Sequence, residues 1–529
     1  MGHPAHRRAL VTGARGDGYV RRKPEASGLH QVVRDNLLTL YAAIEQGFAS
    51  PLPKFVRDEL EGYVACGVLS RGFAVLACPS CEERKLVAFS CGGRGFCPSC
   101  LGRRMAQSAA NLVDHILPED VPLRQFVLTV PFELRARLAY DRALIGAVGR
   151  LFVDTVLGWY ARKFRERGVA GGESGAFTVV QRVSSDLRLN PHYHAVFPDG
   201  VFAAGEDSVA AGEDDGALRF HPLPSLSSGE VADLMQTVRV RVVGWLQRHG
   251  VIDASDELSA PGDDFAEREP ALAALARASV SGLLPAGPER RERAPVSLAG
   301  APGVEVKAPL SVAELGFSLH AATVVAAGDR AGREGLCKYV LRPPIAQERV
   351  LLLDDGLVRI ALKRPFGDGT VAVDLDPLSL LCRLCAAVPP PKMHLVRYAG
   401  VLSAAHKLRP QVVPLRRAEA TPPELVSHEH GDPEKPATHR CQYWPWARLL
   451  KRSFDVDGEK CDRCGARMKL RALVMAQASI ERFLRHLGEP VDPPPLSPAR
   501  GPPFFRSQAV RRKLGELDGE PRQLEIVGT

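Results

Sequence analysis

Two histidines in a strand-like segment are the feature that most constrains the fold and chemistry of this chain. His192 and His194 flank Tyr193 in the apolar run Asn190–Phe197. Successive side chains of a β-strand point to opposite faces, so both imidazoles would share one face. Their Cα atoms would lie roughly 7 Å apart, close enough for both rings to bind one divalent ion. The spacing alone fits a metal site and also fits an ordinary core or surface pair.

Length and composition indicate a globular protein with several domains. A chain of 529 residues is too long for one core, and its formal net charge of +8 is compatible with a polyanionic partner. It has no apolar run of the ~18–20 residues that span a bilayer and no secretory signal. We therefore expect a cytoplasmic protein. Twelve cysteines in such a chain favour metal ligation over disulfides.

Two Cys-x-x-Cys motifs predict a structural zinc site in a small ribbon domain. Cys78 and Cys81 form the first motif, and Cys97 and Cys100 form the second. Two such motifs can supply the four thiolates of a tetrahedral zinc site. The alternative is four free thiols. The neighbouring Cys66 and Cys91 would be either part of a second site or small buried side chains.

The basic pair Arg103–Arg104 directly follows the second motif, at the start of a predicted helix. This placement predicts a contact surface for the DNA backbone, although the ribbon would also serve as a purely structural unit.

The pattern of apolar segments predicts an α+β fold with helices packed on one face of a sheet. We divide the chain into four parts: a mobile tail (1–29), helices with the zinc ribbon (30–118), a catalytic domain (119–408) and a C-terminal extension (409–529). The catalytic domain would contain a loop insertion at about 204–312, which is rich in Pro, Gly and Ala apart from one helix.

Tyr339 is a candidate nucleophile. It lies on a predicted helix (329–341) that leaves the strand carrying His320, and it is close in sequence to Lys338 and Arg342. Nearby cations stabilise a phenolate, which can attack phosphorus. The alternative is a tyrosine at the edge of the core with its hydroxyl in water.

Taken together, these motifs resemble the rolling-circle insertion-sequence transposases of the HUH nuclease class. The resemblance extends from Cys78 to about Leu408 and is strongest in four segments: Phe89–Cys100, Asn190–Gly200, Gly316–Ala321 and Leu336–Pro344. It implies an N-terminal zinc-binding domain followed by an RRM-like nuclease sheet.

The resemblance also implies roles for individual residues. His192 and His194 match the metal-binding pair, for Mg²⁺ or Mn²⁺, and Tyr339 matches the nucleophile. For the third metal ligand our first choice is His320 and the second is Gln181. Lys338 and Arg342, together with the Arg103–Arg104 pair, are the expected DNA-binding residues. Gly335 and Pro343 stand where two-tyrosine members carry a second tyrosine, so the chain resembles the single-tyrosine, common-region-like relatives.

The implied activity is the nicking and joining of single-stranded DNA through a 5′-phosphotyrosine intermediate. The expected partner is DNA, as single-stranded or hairpin element ends, with no membrane partner and with location at the nucleoid. Two alternatives remain at this stage. One is a zinc-containing DNA-binding accessory protein with an inactive nuclease site, and the other is a zinc hydrolase whose histidines activate water.

The C-terminal region contains a further Cys-x-x-Cys motif, Cys461 and Cys464, without an obvious partner motif. Such a motif is often only a turn, but Cys441 and His439 would complete a second metal site. Cys382 and Cys385 lie in an apolar run that predicts a core helix.

Overall fold

The computed structural model describes residues 21–48, 50–204, 218–252, 264–282, 303–413, 445–505 and 509–516. Most of the predicted tail, together with Cys441 and His439, lies outside these ranges. The strands are β1 (Phe73–Ala77), β2 (Arg84–Ala88), β3 (Leu123–Thr129), β4 (Gly175–Val183), β5 (Leu189–Pro198), β6 (Gly200–Ala204), β7 (Leu218–Pro222), β8 (Glu305–Ala308), β9 (Ser311–Glu314), β10 (Phe317–Val325), β11 (Val350–Leu352), β12 (Val358–Ala361), β13 (Thr370–Leu375), β14 (Val396–Gly400), β15 (Lys469–Val474) and β16 (Val510–Lys513). The α-helices are α1 (Gly28–Gly47), α2 (Lys54–Ala65), α3 (Pro98–His115), α4 (Arg135–Tyr140), α5 (Arg142–Arg165), α6 (Ser228–Arg248), α7 (Asp264–Arg268), α8 (Pro270–Ser281), α9 (Arg330–Leu341), α10 (Pro377–Ala387), α11 (Arg409–Val412), α12 (Trp446–Phe454) and α13 (Gln477–Leu487).

The central sheet has seven antiparallel strands in the order β14-β4-β5-β3-β10-β9-β8. The histidine strand β5 lies between β4 and β3, near the middle of the sheet. A mixed α+β fold is thereby confirmed. The helix that carries Tyr339 begins and ends within one residue of its predicted bounds, because its apolar spacing and the flanking Asp329 and Pro343 define it.

Helices cover both faces of the central sheet, so the prediction of helices on one face was wrong. On one face, Phe126, Tyr193 and Phe197 pack in a core with α5 and α6. On the other face, Phe177 and Val196 pack in a second core with α3 and α9. Both sides of β4 and β5 are apolar along most of their length, and each side therefore needs its own covering layer.

Helix α5 is a core helix. Among the described helices it is the one long and apolar enough to cross a membrane, and 67% of its most apolar window is buried inside the protein. Asp141 caps its N-terminus by accepting a hydrogen bond from the Leu144 amide at 2.9 Å. Its last turn carries Arg162, Lys163 and Arg165, whose charges favour the negative end of the helix dipole.

The N-terminal region contains a three-stranded sheet in the order β15-β1-β2. The sequence predicted a ribbon between the two N-terminal cysteine motifs, where β2 lies, whereas β1 precedes both motifs and was not predicted. The third strand of the sheet, β15, comes from the C-terminal region and was not expected. Phe73 and Val75 of this sheet pack with Val474, Ile480 and Leu484, so β15 and α13 share a small core with the β1–β2 hairpin.

The predicted insertion is more ordered than a loop, in the part of it that the structure describes. It contains α6, α7 and α8, and its strands β8 and β9 extend the central sheet. Short elements with high Ala and Gly content gave too weak a periodic signal to be recognised. A separate four-stranded sheet has the order β11-β12-β13-β16, and its first three strands lie between α9 and β14 in the chain.

Candidate active site and cysteine clusters

His192 and His194 lie side by side on the α3/α9 face of β5. Their ring centroids are 4.9 Å apart. Tyr193 points to the opposite face, where its hydroxyl donates to the Ile145 carbonyl of α5 at 2.9 Å. This anchors the middle of the motif to the core and fixes the direction in which both histidines project.

Hydrogen bonds define which ring nitrogens are available for a ligand. His192 Nδ1 donates to its neighbour, the Asn190 carbonyl, at 2.7 Å. His194 Nδ1 lies 2.7 Å from the side-chain amide of Gln125 on β3. The Gln125 atom that faces this nitrogen is the amide nitrogen Nε2, which donates to it. With the amide turned end for end, Oε1 would instead accept from Nδ1–H, and the lone pair would be left on Nε2. His194 Nε2 is buried and has no hydrogen-bond partner among the described residues.

Both histidines are held in the neutral form. Burial lowers the pKa of His192 to about 4; the hydrogen bond to Asn190 acts in the opposite direction, and the charges of Arg342 and Arg135 lower the pKa further. Burial, His192 and Arg342 lower the pKa of His194 to about 2. Neutral imidazoles offer lone pairs to a cation near neutral pH without first losing a proton. An unpartnered buried nitrogen beside a second neutral imidazole therefore fits a divalent metal ion.

Tyr339 lies next to this pair. Its ring centroid is 5.8 Å from that of His194, with the two rings nearly perpendicular at 80°. The side chain is 42% exposed, so its hydroxyl is accessible from solvent. The imidazole pair and the tyrosine are therefore brought together, although about 145 positions of sequence separate them.

Gln181 connects the sheet to the helix that carries Tyr339. It pairs with His192 across β4 and β5, so the two side chains share a face. Its Nε2 donates to the carbonyls of Tyr339 at 3.1 Å and of Val340 at 2.8 Å. These carbonyls belong to the last turn of α9, where no intrahelical donor remains for them. Gln181 thus fixes the end of α9 against the histidine strand.

His320, the first choice for the third metal ligand, does not join the histidine pair. It pairs with Val127, which in turn pairs with His194, so one whole strand separates the two histidines. That separation corresponds to roughly 10 Å between Cα atoms. Among the described residues, groups of three or more His, Cys, Asp or Glu side chains within ligand distance consist of cysteines alone. The strand order, which the sequence did not reveal, accounts for this difference.

A group of cations, which we call the cation cluster, lies beside Tyr339. It consists of Arg342, Arg349 and Lys363. The Arg342 guanidinium is 4.6 Å from the Tyr339 ring centroid. Burial, with the charges of Arg342 and Arg349 nearby, lowers the pKa of Lys363 to about 7.

Arg349 is the buried member of the cation cluster, with 3% of its surface exposed. Its Nε donates to the Ala361 carbonyl at 2.7 Å, and its Nη2 donates to the Ser185 carbonyl. Its Nη1 has no partner among the described residues. Like charges held this close, with one donor unused, favour an anionic ligand such as a phosphate.

The other predicted DNA-binding residues lie at different distances from the active site. Lys338 forms an ion pair with Glu334 at 2.8 Å on α9. Arg103 and Arg104 lie in the first turns of α3, and Arg104 donates to the Gly92 carbonyl at 3.2 Å. Farther along, α3 packs against α9. These two arginines therefore belong to the region of the cysteines and not to the surroundings of Tyr339.

Eight of the cysteines that the structure describes form two groups of four, so the prediction of one site from the two N-terminal motifs was wrong. Cys97 and Cys100 join Cys66 and Cys91, whereas Cys78 and Cys81 join Cys461 and Cys464. The two N-terminal motifs lie at opposite ends of β2, a five-residue strand of roughly 16 Å. One motif is in the β1–β2 turn and the other is at the start of α3.

In the first group, which we call the inner cluster, Sγ–Sγ distances are 3.7 Å for Cys66–Cys100, 3.3 Å for Cys91–Cys100 and 3.6 Å for Cys66–Cys97. Cys66 and Cys91 are therefore members of a site and not merely small core residues. The predicted alternative partners Cys441 and His439 lie outside the described residues. Cys382 and Cys385 are buried in α10, as expected.

Sequence reasoning missed Gln125, Arg349 and Lys363. Gln125 has no motif of its own, and only the pairing of β3 with β5 places it beside His194. Arg349 and Lys363 follow α9 in a segment whose fold the sequence did not indicate. A pair of basic residues downstream of the tyrosine was the available signal, but basic residues are common in this chain.

The fold and site define a protein with a cysteine-rich metal-binding domain followed by a histidine–tyrosine domain. Two family models match these parts separately. The one described as "Transposase zinc-binding domain" matches residues 38–130, and the one described as "Putative transposase" matches residues 175–409.

A transposase for the insertion sequence element IS801 from Pseudomonas savastanoi pv. phaseolicola is 31% identical over 160 residues, which cover 30% of this chain and 35% of that protein. No solved structure matches the chain. Two separate parts of the chain are thus similar to transposases, one of them to a transposase zinc-binding domain.

Proposed function

We propose that this protein is a single-tyrosine transposase of the HUH class that nicks and joins single-stranded DNA in rolling-circle transposition. Tyr339 is the nucleophile, and the intermediate is a 5′-phosphotyrosine. In this proposal residues 119–408 form an RRM-like nuclease domain, and residues 30–118 form a zinc-binding domain. The protein acts on single-stranded or hairpin element ends at the nucleoid in the cytoplasm.

The observation that carries this proposal is the meeting of an accessible tyrosine with two neutral histidines. The Tyr339 ring lies 5.8 Å from the His194 ring, and His194 Nε2 is buried without a described partner. A zinc hydrolase would account for the histidines but leaves the neighbouring tyrosine and cation cluster without a role. A strand-cleaving tyrosine enzyme uses all three.

The donor set fits a divalent cation bound by Nε2 of His192 and Nε2 of His194. Gln181 is the third ligand that the geometry favours, since it pairs with His192 and its Oε1 remains after Nε2 has bonded to α9. Imidazoles favour Mn²⁺, whereas an amide oxygen and water are also suitable for Mg²⁺. When bound, such a cation polarises the scissile phosphate and neutralises its charge.

The residues of the chain carry the covalent step. The Tyr339 oxygen forms a bond to phosphorus as the bond from phosphorus to the 3′ oxygen breaks. The phenol proton leaves to water, and the departing 3′ oxygen takes a proton from water, so that protons balance. The energy of the phosphodiester is retained in the phosphotyrosine, and a 3′ hydroxyl can later reverse the step to join a new strand.

The cation cluster positions the DNA backbone for this attack. Arg342, beside the tyrosine ring, would hold a phosphate near the scissile one, and the buried Arg349 would contribute its charge from behind. A single strand fits this arrangement because its flexible backbone can follow a curved basic surface. Lys338 and the Arg103–Arg104 pair would extend the contact, mostly without regard to base sequence.

A covalent-adduct assay tests the proposal. Single-stranded oligonucleotides carrying an element end and a 3′ label are incubated with the full chain and Mn²⁺ or Mg²⁺. We expect a labelled protein band, because the nucleophile remains on the 5′ phosphate of the fragment that carries the label. Tyr339→Phe should abolish the band. Tyr398→Phe, a change at a tyrosine that is equally exposed at 42%, is the matched control and should retain it.

The alternatives give different results in the same assay. Metal-dependent cleavage without an adduct would indicate a hydrolase. DNA binding without any product would indicate an accessory protein with an inactive site. Loss of the band in Tyr398→Phe together with its persistence in Tyr339→Phe would contradict the assignment of the nucleophile.

A further inference from the structure

The second group of cysteines joins two distant parts of the chain. Cys78 Sγ lies 3.4 Å from Cys464 Sγ, and Cys81 Sγ lies 3.5 Å from Cys461 Sγ, across 386 and 380 positions of sequence. We propose that Cys78, Cys81, Cys461 and Cys464, here called the outer cluster, bind a second zinc ion that clasps the C-terminal segment to the N-terminal hairpin. Residues 461–464 lie beyond both family matches, which end at residues 130 and 409.

The sulfur positions fit a tetrahedral ion. All four sulfurs lie within 4.8 Å of one another. Zinc binds thiolates at about 2.3 Å, which places the sulfurs of a tetrahedron about 3.8 Å apart. A disulfide needs about 2.05 Å, so these pairs are not positioned as covalent bonds. Four sulfur donors favour zinc over magnesium, calcium or manganese.

The two motifs of the outer cluster adopt the same backbone turn. In the first, the Cys78 amide donates to the Glu83 carbonyl at 2.8 Å and the Glu82 amide donates to the Cys78 carbonyl at 3.1 Å. In the second, the Cys461 amide donates to the Ala466 carbonyl at 2.8 Å and the Gly465 amide donates to the Cys461 carbonyl at 2.9 Å.

The two hydrogen bonds therefore join equivalent positions in both motifs: the first cysteine donates to the carbonyl five residues on and accepts from the amide four residues on. The residue four positions after the first cysteine has a positive φ in both turns, 59° at Glu82 and 74° at Gly465. Glycine adopts this conformation at little cost, whereas a glutamate there is strained. Both Cys-x-x-Cys segments thus have the same turn and direct their sulfurs to the same point. Packing alone does not require this agreement, whereas binding of one shared ion does.

Other contacts hold the same two segments together. The Lys85 ammonium donates to the Lys460 carbonyl at 2.7 Å and to Asp462 Oδ1 at 3.0 Å. Next to the cysteines, β15 pairs with β1. Neither contact uses a thiol, so the four sulfurs in this cluster require a separate explanation, and a bound ion supplies it.

The proposed ion would stabilise more than the hairpin. The segment that it attaches carries β15 and α13 and follows α12 in the chain. On α12, Arg452 donates to Asp114 of α3 and to Glu334 of α9. The outer cluster therefore attaches the chain a few residues after α12, whose Arg452 contacts the helix bearing Tyr339, although the inference itself depends only on the cysteines.

Metal stoichiometry in the full chain tests this inference. The protein is purified under reducing conditions, its zinc is measured by mass spectrometry, and its metal shell is measured by X-ray absorption. We expect two zinc ions per chain, both surrounded by sulfur. Cys461→Ser with Cys464→Ser should reduce the content to one. The matched control is Cys382→Ser with Cys385→Ser, a buried pair with the same spacing outside both clusters, which should retain two.

One zinc ion per chain in the unaltered protein would overturn the inference, and so would two ions in the Cys461/Cys464 double variant. If that variant does not fold, the unaltered chain alone decides the test. Two zinc ions per chain, both bound only by sulfur, support the inference, and one ion overturns it. Hydrogen exchange gives a second readout. Removal of the outer ion should increase exchange in β1 and β15 and leave α5 unchanged.

Discussion

At the scale of single residues, the direction of a hydrogen bond decides which nitrogen can bind a metal. Asn190 and Gln125 each occupy Nδ1 of one histidine, so both rings turn Nε2 toward the same side. Residues that orient ligands in this way affect metal affinity without touching the ion. Strand pairing separates His194 from His320: both lie on the same face of the sheet, but β3 lies between their strands.

This distinction leads to a prediction about paired variants. His194→Ala should lower the rate of adduct formation at least about 100-fold and weaken Mn²⁺ binding, because it removes a ligand. Gln125→Leu should lower metal affinity by about 10- to 100-fold, because it removes the hydrogen bond that orients the His194 ring but leaves the ligand itself in place. Titration with Mn²⁺, followed by paramagnetic resonance, measures both effects.

The control is His320→Ala, which should change either quantity by no more than about twofold. If His320→Ala weakens Mn²⁺ binding as strongly as His194→Ala does, the metal lies between the two strands and our placement of it is wrong.

Lys363 gives a second prediction, concerning pH. Its pKa is lowered to about 7 by burial and by the charges of Arg342 and Arg349. The ammonium is therefore mostly neutral at pH 8 and mostly charged at pH 6, and a bound phosphate favours the charged form. The affinity for a single-stranded oligonucleotide should increase up to about tenfold as the pH falls from 8 to 6 at constant salt.

Lys363→Arg should remove most of this dependence, because arginine stays charged across the range. Lys407→Arg, at an exposed lysine, should leave the dependence as in the parent protein. Fluorescence anisotropy at a series of pH values measures it. Equal pH profiles for the parent and Lys363→Arg would show that Lys363 does not face the DNA.

At the scale of elements, the position of α9 is fixed from three directions. Gln181 holds its C-terminal carbonyls, α3 packs along its side, and Arg452 of α12 donates to Glu334 at 2.9 Å and to Asp114 of α3 at 3.1 Å. Asp114 also accepts from Arg330, the first residue of α9. A helix held at both ends and along one side presents Tyr339 in a reproducible place, which proximity catalysis requires.

Arg452→Ala should therefore destabilise the fold by about 1–3 kcal/mol, because it leaves two largely buried carboxylates without their main donor. It should also lower the rate of adduct formation while the Mn²⁺ affinity of the histidine pair stays unchanged. Arg452→Lys should give a stability and a rate of adduct formation between those of Arg452→Ala and those of the parent protein. A lysine has no planar guanidinium with which to bond both carboxylates at once.

Arg448→Ala, at an exposed arginine on the same helix, is the control and should leave stability and rate near those of the parent protein. Thermal unfolding and the adduct assay measure the two quantities. A stable Arg452→Ala protein with full activity would show that α12 has no part in positioning α9.

At the scale of the whole molecule, local patterns predicted the elements but not their long-range pairing. The strands that carry His192 and His320 and the helix that carries Tyr339 follow from alternation, helical spacing and an Asp cap, which are properties of short segments. The proximity of Tyr339 to the histidines came from resemblance to a family. The placement of His320 one strand away from His194 depended on strand order, which short segments do not encode.

The cysteines show the same limit. Spacing indicated metal binding, and the zinc-binding domain is supported. The division into two clusters follows from the length of β2 and from a motif near the far end of the chain, and spacing within one region reveals neither. Likewise, Gln125 lies beside His194, and the cation cluster lies beside Tyr339, only because separate strands and loops meet in the fold. Their positions in the sequence do not indicate this.

The pairing of β15 with β1 has a consequence for how the protein is made. On the ribosome, β1 emerges early, whereas β15 is synthesised only after residues 119–408 have left the exit tunnel. Until then one edge of the hairpin is unpaired and Cys78 and Cys81 lack their partner thiols. Copies of the gene shortened at the 3′ end would leave the nascent hairpin in that state and expose it to proteases.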